Sequence, residues 1–127
     1  MSLSNYLETA LFNHVYRNTA YTSPTTVYVG LFTSNPGEAG SGTEVSGGSY
    51  ARKAVTFGAP TDGVGSNSAP VTFDEATADW GDLTHFATFD ASSAGNMLSY
   101  DALSAPKTID DGDTAFFDTG DLVASFA

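Results

Sequence analysis

Residues Ala78–Ala91, A-D-W-G-D-L-T-H-F-A-T-F-D-A, hold the chain's one tryptophan, one of its two histidines and three of its aspartates. Read as chemistry, His85 stands among carboxylates. Read as structure, it alternates with Leu83, Ala87 and Phe89 along one face of a strand. The β-branched and aromatic content of 82–89 favours the strand. N-M-L-S-Y-D-A-L (96–103) reads as its partner across D-A-S-S-A-G, giving a hairpin. Nucleophilic catalysis needs a nucleophile, a base and an orienting acid. The chain has no cysteine and no G-x-S-x-G elbow. His85 is therefore expected as a half-buried donor to a neighbouring carbonyl or carboxylate, not a base. Trp80 is expected to plug the end of the core, its indole N–H on a loop carbonyl, in preference to forming an exposed sugar platform.

Upstream, Leu3, Leu7, Ala10, Leu11, His14 and Val15 fall at helical spacing, so an amphipathic helix is expected within 1–18. Asn5 and Glu8 suggest a capping box, Pro24 a stop, and His14 a packing role. Residues 25–33, T-T-V-Y-V-G-L-F-T, are apolar on both faces and read as a central strand. S-N-P-G-E-A-G-S-G-T-E-V-S-G-G-S (34–49) carries five glycines and reads as a long loop for contacts or motion. Residues 50–57 and 70–73 read as strands with a loop between them. P-K-T-I, T-A-F-F and D-L-V-A-S-F-A follow, separated by turn signals. The sum is one domain over 1–127: mainly β, an antiparallel sandwich or barrel over 25–127, with one N-terminal helix. No internal repeat or heptad is visible that would build a fibre shaft.

Fifteen acids against four bases give a net charge of −11. Phosphate binding needs clustered Lys and Arg, so nucleic acid and anionic lipid are excluded as partners. No apolar run approaches the ~20 residues of a membrane span, and Met1–Glu8 lacks the features of a secretory signal. The chain is expected to be made in a host cytoplasm, with both ends packed.

The carboxylates invite two further chemistries. Glycoside hydrolysis needs two acids across a cleft, one with a raised pKa. Here the acids sit beside glycines in turns. D-D-G-D (110–113) and D-T-G-D (118–121) make Asp111, Asp113, Asp118 and Asp121 weak calcium candidates, but the EF-hand spacing is absent and tight turns demand the same residues. The glycine-rich loop leads into no Walker lysine. No cofactor is expected. Arg52 and Lys53 are adjacent on a strand, so one points inward, paired with an acid, and the other is free for a partner.

Several blocks together resemble a family of small tailed-bacteriophage virion proteins, often labelled tail-fibre proteins. They are L-S-N-Y-L-E, A-Y-T-S-P-T-T-V-Y-V-G-L-F-T-S-N-P, G-T-E-V-S-G-G-S-Y-A-R-K-A-V-T-F, A-T-A-D-W-G-D-L-T-H-F-A-T-F-D-A, G-N-M-L-S-Y-D-A-L and P-K-T-I-D-D-G-D. The resemblance covers nearly the whole chain, in order, and implies a virion location and no catalytic residue. The leading expectation is a capsid decoration (cement) protein binding the major capsid protein, self-associating as a trimer. The alternative is a small tail or neck protein, either a tail-fibre or an adaptor component. A host-surface carbohydrate-binding module stands behind both. Candidate partner-binding residues are Leu3, Tyr6, Leu7, Asn35, Pro36, Glu44, Ser46, Arg52 and Lys53.

Overall fold

In the computed structural model, which describes residues 1–126, the hairpin forms as β6 (Gly81–Phe89) and β7 (Met97–Ile109). The central strand β2 (Val27–Phe32) pairs with the other edge of β6, and β3 (Lys53–Val55) pairs with β2. The short β1 (Ser2–Leu3) adds to β7, completing the order β1-β7-β6-β2-β3. Two ribbons accompany this sheet: β4 (Val64–Ser66) with β9 (Val123–Ser125), and β5 (Val71–Thr72) with β8 (Phe116–Phe117). Every one of these pairings is antiparallel. The fold is mainly β with a single N-terminal helix, as expected.

One face of the large sheet builds the main core. Val29, Leu31, Val55 and Phe86 pack there against Val71, Phe73, Trp80 and Leu122 from the ribbons and loops. Each such side chain contributes about 1.5–3 kcal/mol on full burial. The opposite face carries a smaller cluster of Phe32, Ala87, Phe89 and Met97. V-Y-V-G-L-F serves both clusters, which is why β2 is apolar on both faces.

The hairpin departs from simple alternation. Leu83 and His85 are two residues apart, but their partners Lys107 and Ala102 are five apart, so Leu103–Pro106 bulge out of register. Pro106 has no N–H to give the ladder. P-K-T-I therefore continues β7 past a bulge and opens no new strand. The bulge also changes faces: Leu83 joins Phe86 in the main core, whereas Ala87 and Phe89 lie on the other side with His85. The expected sharing of one face by Leu83 and His85 is thus corrected. Two strand expectations change as well. Residues 50–57 yield only Lys53–Val55, and β4 forms inside the expected loop after it.

The helix α1 spans Asn5–Tyr16, and its cap is Ser4, not Asn5 with Glu8. Ser4 Oγ accepts from Leu7 N at 3.1 Å and donates to the Met97 carbonyl, while Ser4 N donates to Leu98 O. Asn18, in the left-handed region at φ 54°, turns the chain well before Pro24. Only Leu7 of α1 is buried. His14 and Val15, expected on the packed stripe, are exposed because β7 lies behind the first part of the helix only. Ser4→Ala, which removes the cap and the tie to β7, is expected to cost about 1–2 kcal/mol in a urea titration.

Candidate interaction surface

The residues that suggested chemistry are held in structural work. The two D-x-G-D segments close as the same turn. Asp113 N donates to Asp110 O, and Asp113 Oδ2 accepts from Asp110 N at 2.9 Å. Asp121 repeats both bonds with Asp118. Gly112 and Gly120 take φ 92° and 87°, the third position of a type II turn. Asp111 N is held by Asp79 Oδ1. Among the described residues no three His, Asp or Glu side chains converge as metal ligands would. His85 is half-buried, its Nδ1 2.8 Å from the neighbouring Thr84 hydroxyl, a contact that replaces the expected carbonyl or carboxylate. Trp80 is 5% exposed and its Nε1–H donates to Gly48 O at 2.9 Å. It plugs the core and offers no face for a sugar.

The long loop 34–49 is built into the fold. Thr33 N donates to Thr43 O, Val45 N to Leu31 O, and Ser41 N to Pro36 O. Its anchor is a polar network under the sheet. Arg52 makes a forked ion pair with Glu44, Nε to Oε2 at 2.9 Å and Nη2 to Oε1 at 2.8 Å. Its Nη1 donates to the carbonyls of Ala91 and Ala94, and its guanidinium carbon lies 3.4 Å from the Phe89 ring centroid. Tyr50 donates its hydroxyl to Glu44 Oε2 at 2.6 Å and accepts from Leu31 N. One arginine thus joins two loops and the sheet.

Burial, reinforced by the bond to Glu44, holds the Tyr50 phenol protonated well above the usual range. A folded pKa above the unfolded one means this contribution is intact below about pH 10 and declines as pH rises past it. Tyr50→Phe is expected to make the alkaline limb of a stability–pH curve shallower by one proton. A Cβ at Gly30 would lie 2.7 Å from Glu44 Oε2, 2.9 Å from Tyr50 Oη and 3.1 Å from Phe89. Gly30→Ala is accordingly expected to cost about 1–3 kcal/mol through overpacking, read as a lower denaturation midpoint.

The residues singled out for partners are divided by the fold. Leu7 and Pro36 are buried. Glu44 and Arg52 face each other. Lys53 pairs with Asp74 at 2.9 Å, so both cations of the pair are engaged within the chain. Leu3 is half-buried in β1, and Asn35 Oδ1 holds Gly37 N. Ser46 and Tyr6 remain at the surface. The largest apolar exposure on α1 lies elsewhere: Phe12 is 57%, Val15 65% and Tyr16 75% exposed. The rings of Phe12 and Tyr16 meet at 5.1 Å, so these side chains form one patch. Phe12 and Tyr16 were legible as apolar residues off the expected stripe. A second apolar surface is an open groove of about 830 Å³ between the β7 bulge and the ribbons.

Among the described residues no helix is long and apolar enough to cross a membrane. No curated protein matches the chain. Residues 2–125 match the family described as Podophage GP4 fiber I protein gp80. With nearly its whole length covered, the chain belongs to that family of structural fibre proteins of the tailed-phage virion.

Proposed function

We propose that this chain is a non-enzymatic fibre component of the phage tail, seated by docking the exposed end of α1 on a neighbouring virion protein. The observation that carries this is the patch of Phe12, Val15 and Tyr16. Isolated apolar residues at a surface are ordinary, but three gathered on one helix end mark a contact. The family's description supplies the word fibre. A shaft needs repeats that this sequence lacks, so the chain serves as an attachment or joining piece.

Capsid decoration is the second reading, favoured by the small acidic β body. Quantifying the chain in purified particles separates the two. Copies in proportion to tail proteins support a fibre component, and copies in proportion to the capsid lattice support decoration. Tyr16→Asp should remain folded and be lost from particles. Normal incorporation of that variant would remove the docking role from α1.

A further inference from the structure

The chain contains two Asp-Gly bonds, Asp62–Gly63 and Asp111–Gly112, and the fold treats them differently. At such a bond the main chain can rearrange without an enzyme, because glycine has no Cβ to shield its nitrogen from the preceding carboxyl. Both bonds are exposed. A Cβ added at either glycine would meet nothing closer than 4.0 Å, so crowding does not separate them.

The attacking nitrogen does. Gly112 N donates to Ala76 O at 2.7 Å, and Asp111 N is held by Asp79 Oδ1 at 2.9 Å. Gly112 must give up its acceptor before it can react. Gly63 N has no acceptor among the described residues. It lies in the turn between Thr61 and Val64, which exchange N–H to carbonyl bonds at 2.9 and 3.0 Å. Asp62 at φ 52° and Gly63 at φ 79° make this a two-residue hairpin turn of type I′.

We propose that Asp62 is a site of spontaneous isomerisation to isoaspartate, that Asp111 is protected from it by the bond from Gly112 to Ala76, and that conversion loosens β4 from β9. Gly63 N bonds to Asp62 Cγ, and its proton leaves with the carboxyl OH as water, giving a succinimide. Water then opens the ring. Opening at Cγ restores aspartate, whereas opening at the Asp62 main-chain carbonyl leaves the chain running through Cβ and Cγ. One water is lost and one regained, so mass is unchanged and no oxidant is involved. The product carries an extra main-chain atom, which a two-residue turn has no slack to absorb. Gly63 O accepts from Phe126 N at 3.0 Å and β4 pairs with β9, so the strain passes to residues 123–126. A virion protein is not replaced after assembly, so the converted fraction grows with the age of the particle.

The test holds the full chain in mildly acidic buffer at body temperature and follows both sites by peptide mapping with isoaspartate-specific fragmentation. Conversion at Asp62 should exceed that at Asp111 by about tenfold, the factor given by ~1.4 kcal/mol in barrier height. In urea the two sites should convert at similar rates, because the protecting bond is gone. Amide hydrogen exchange at Val64 and Phe126 should quicken in the aged parent. It should not quicken in an aged Asp62→Glu chain, whose imide ring would be one atom larger and slower to close. Equal conversion of the two sites in the folded chain overturns the proposal, as does faster conversion at Asp111. So does an unconverted Asp62 in the folded chain when the chain in urea converts. Unchanged exchange at Val64 and Phe126 in converted chains overturns the loosening of β9.

Discussion

Glu44→Ala is expected to cost about 3–5 kcal/mol at neutral pH, with a fall in Tm of roughly 10–20 °C. The reason is asymmetric. The Arg52 side chain is 9% exposed and Glu44 24%, so the pair is largely withdrawn from water. Removing the carboxylate leaves the guanidinium with two carbonyls and a ring but no counter-charge. It also takes the acceptor from the Tyr50 hydroxyl. Glu44→Gln, which keeps an acceptor of the same shape, should lose less. Adding Arg52→Met to Glu44→Ala should recover part of the loss, since no buried charge is then stranded. Thermal and urea unfolding of the four chains would check this. A Glu44→Ala chain within about 1 kcal/mol of the parent would show that water reaches the site and repays the pair.

The contrast between this network and the hairpin shows what the sequence makes legible. Alternation in D-L-T-H-F-A-T-F identifies a strand because neighbouring residues must face opposite sides. The D-x-G-D turns are equally local, since a glycine with positive φ is needed where each occurs. The bulge opposite Thr84 is not local, because it depends on how β7 registers against β6. Loop 34–49 looks loose in the sequence because it is polar and glycine-rich. Its order comes from Tyr50 and Arg52, just past its end, which fold back on Glu44, and from the tie of Arg52 to the distant Ala91 and Ala94, contacts that no local pattern displays. For the same reason Leu7 and Pro36, expected at a partner contact, serve the interior instead. The apolar stripe of α1 is readable, but the depth of packing behind it is not. The end of β7 that receives the helix decides that Leu7 is covered while Val15 is bare.

Asn67 is hidden in the polar loop G-S-N-S-A-P, and replacing it should rival the loss of Glu44. Its side chain is fully used at 1% exposure. Oδ1 accepts from Gly120 N and Leu122 N, while Nδ2 donates to Ala69 O and Asp118 O. These bonds fix the D-T-G-D turn and deliver Leu122, 0% exposed, to the main core. Asn67→Ala leaves Leu122 N and Ala69 O without their partner, while Gly120 N keeps the Asn67 carbonyl and Asp118 O keeps Asp121 N. At about 1–3 kcal/mol for each group left dry, a loss of about 3 kcal/mol is expected. Asn67→Asp is the sharper test. It keeps the acceptor but places a carboxylate beside the two carbonyls that Nδ2 served, which favours the protonated acid in the folded state. With the folded pKa of the new carboxyl raised, the variant should approach the parent in mild acid and fall away as pH rises through that value. Unfolding of parent and variant measured side by side from acid to neutral pH reads the difference directly. A stability gap that stays flat or narrows with rising pH would mean that the introduced carboxylate is solvated, and that the turn does not depend on a dry Asn67.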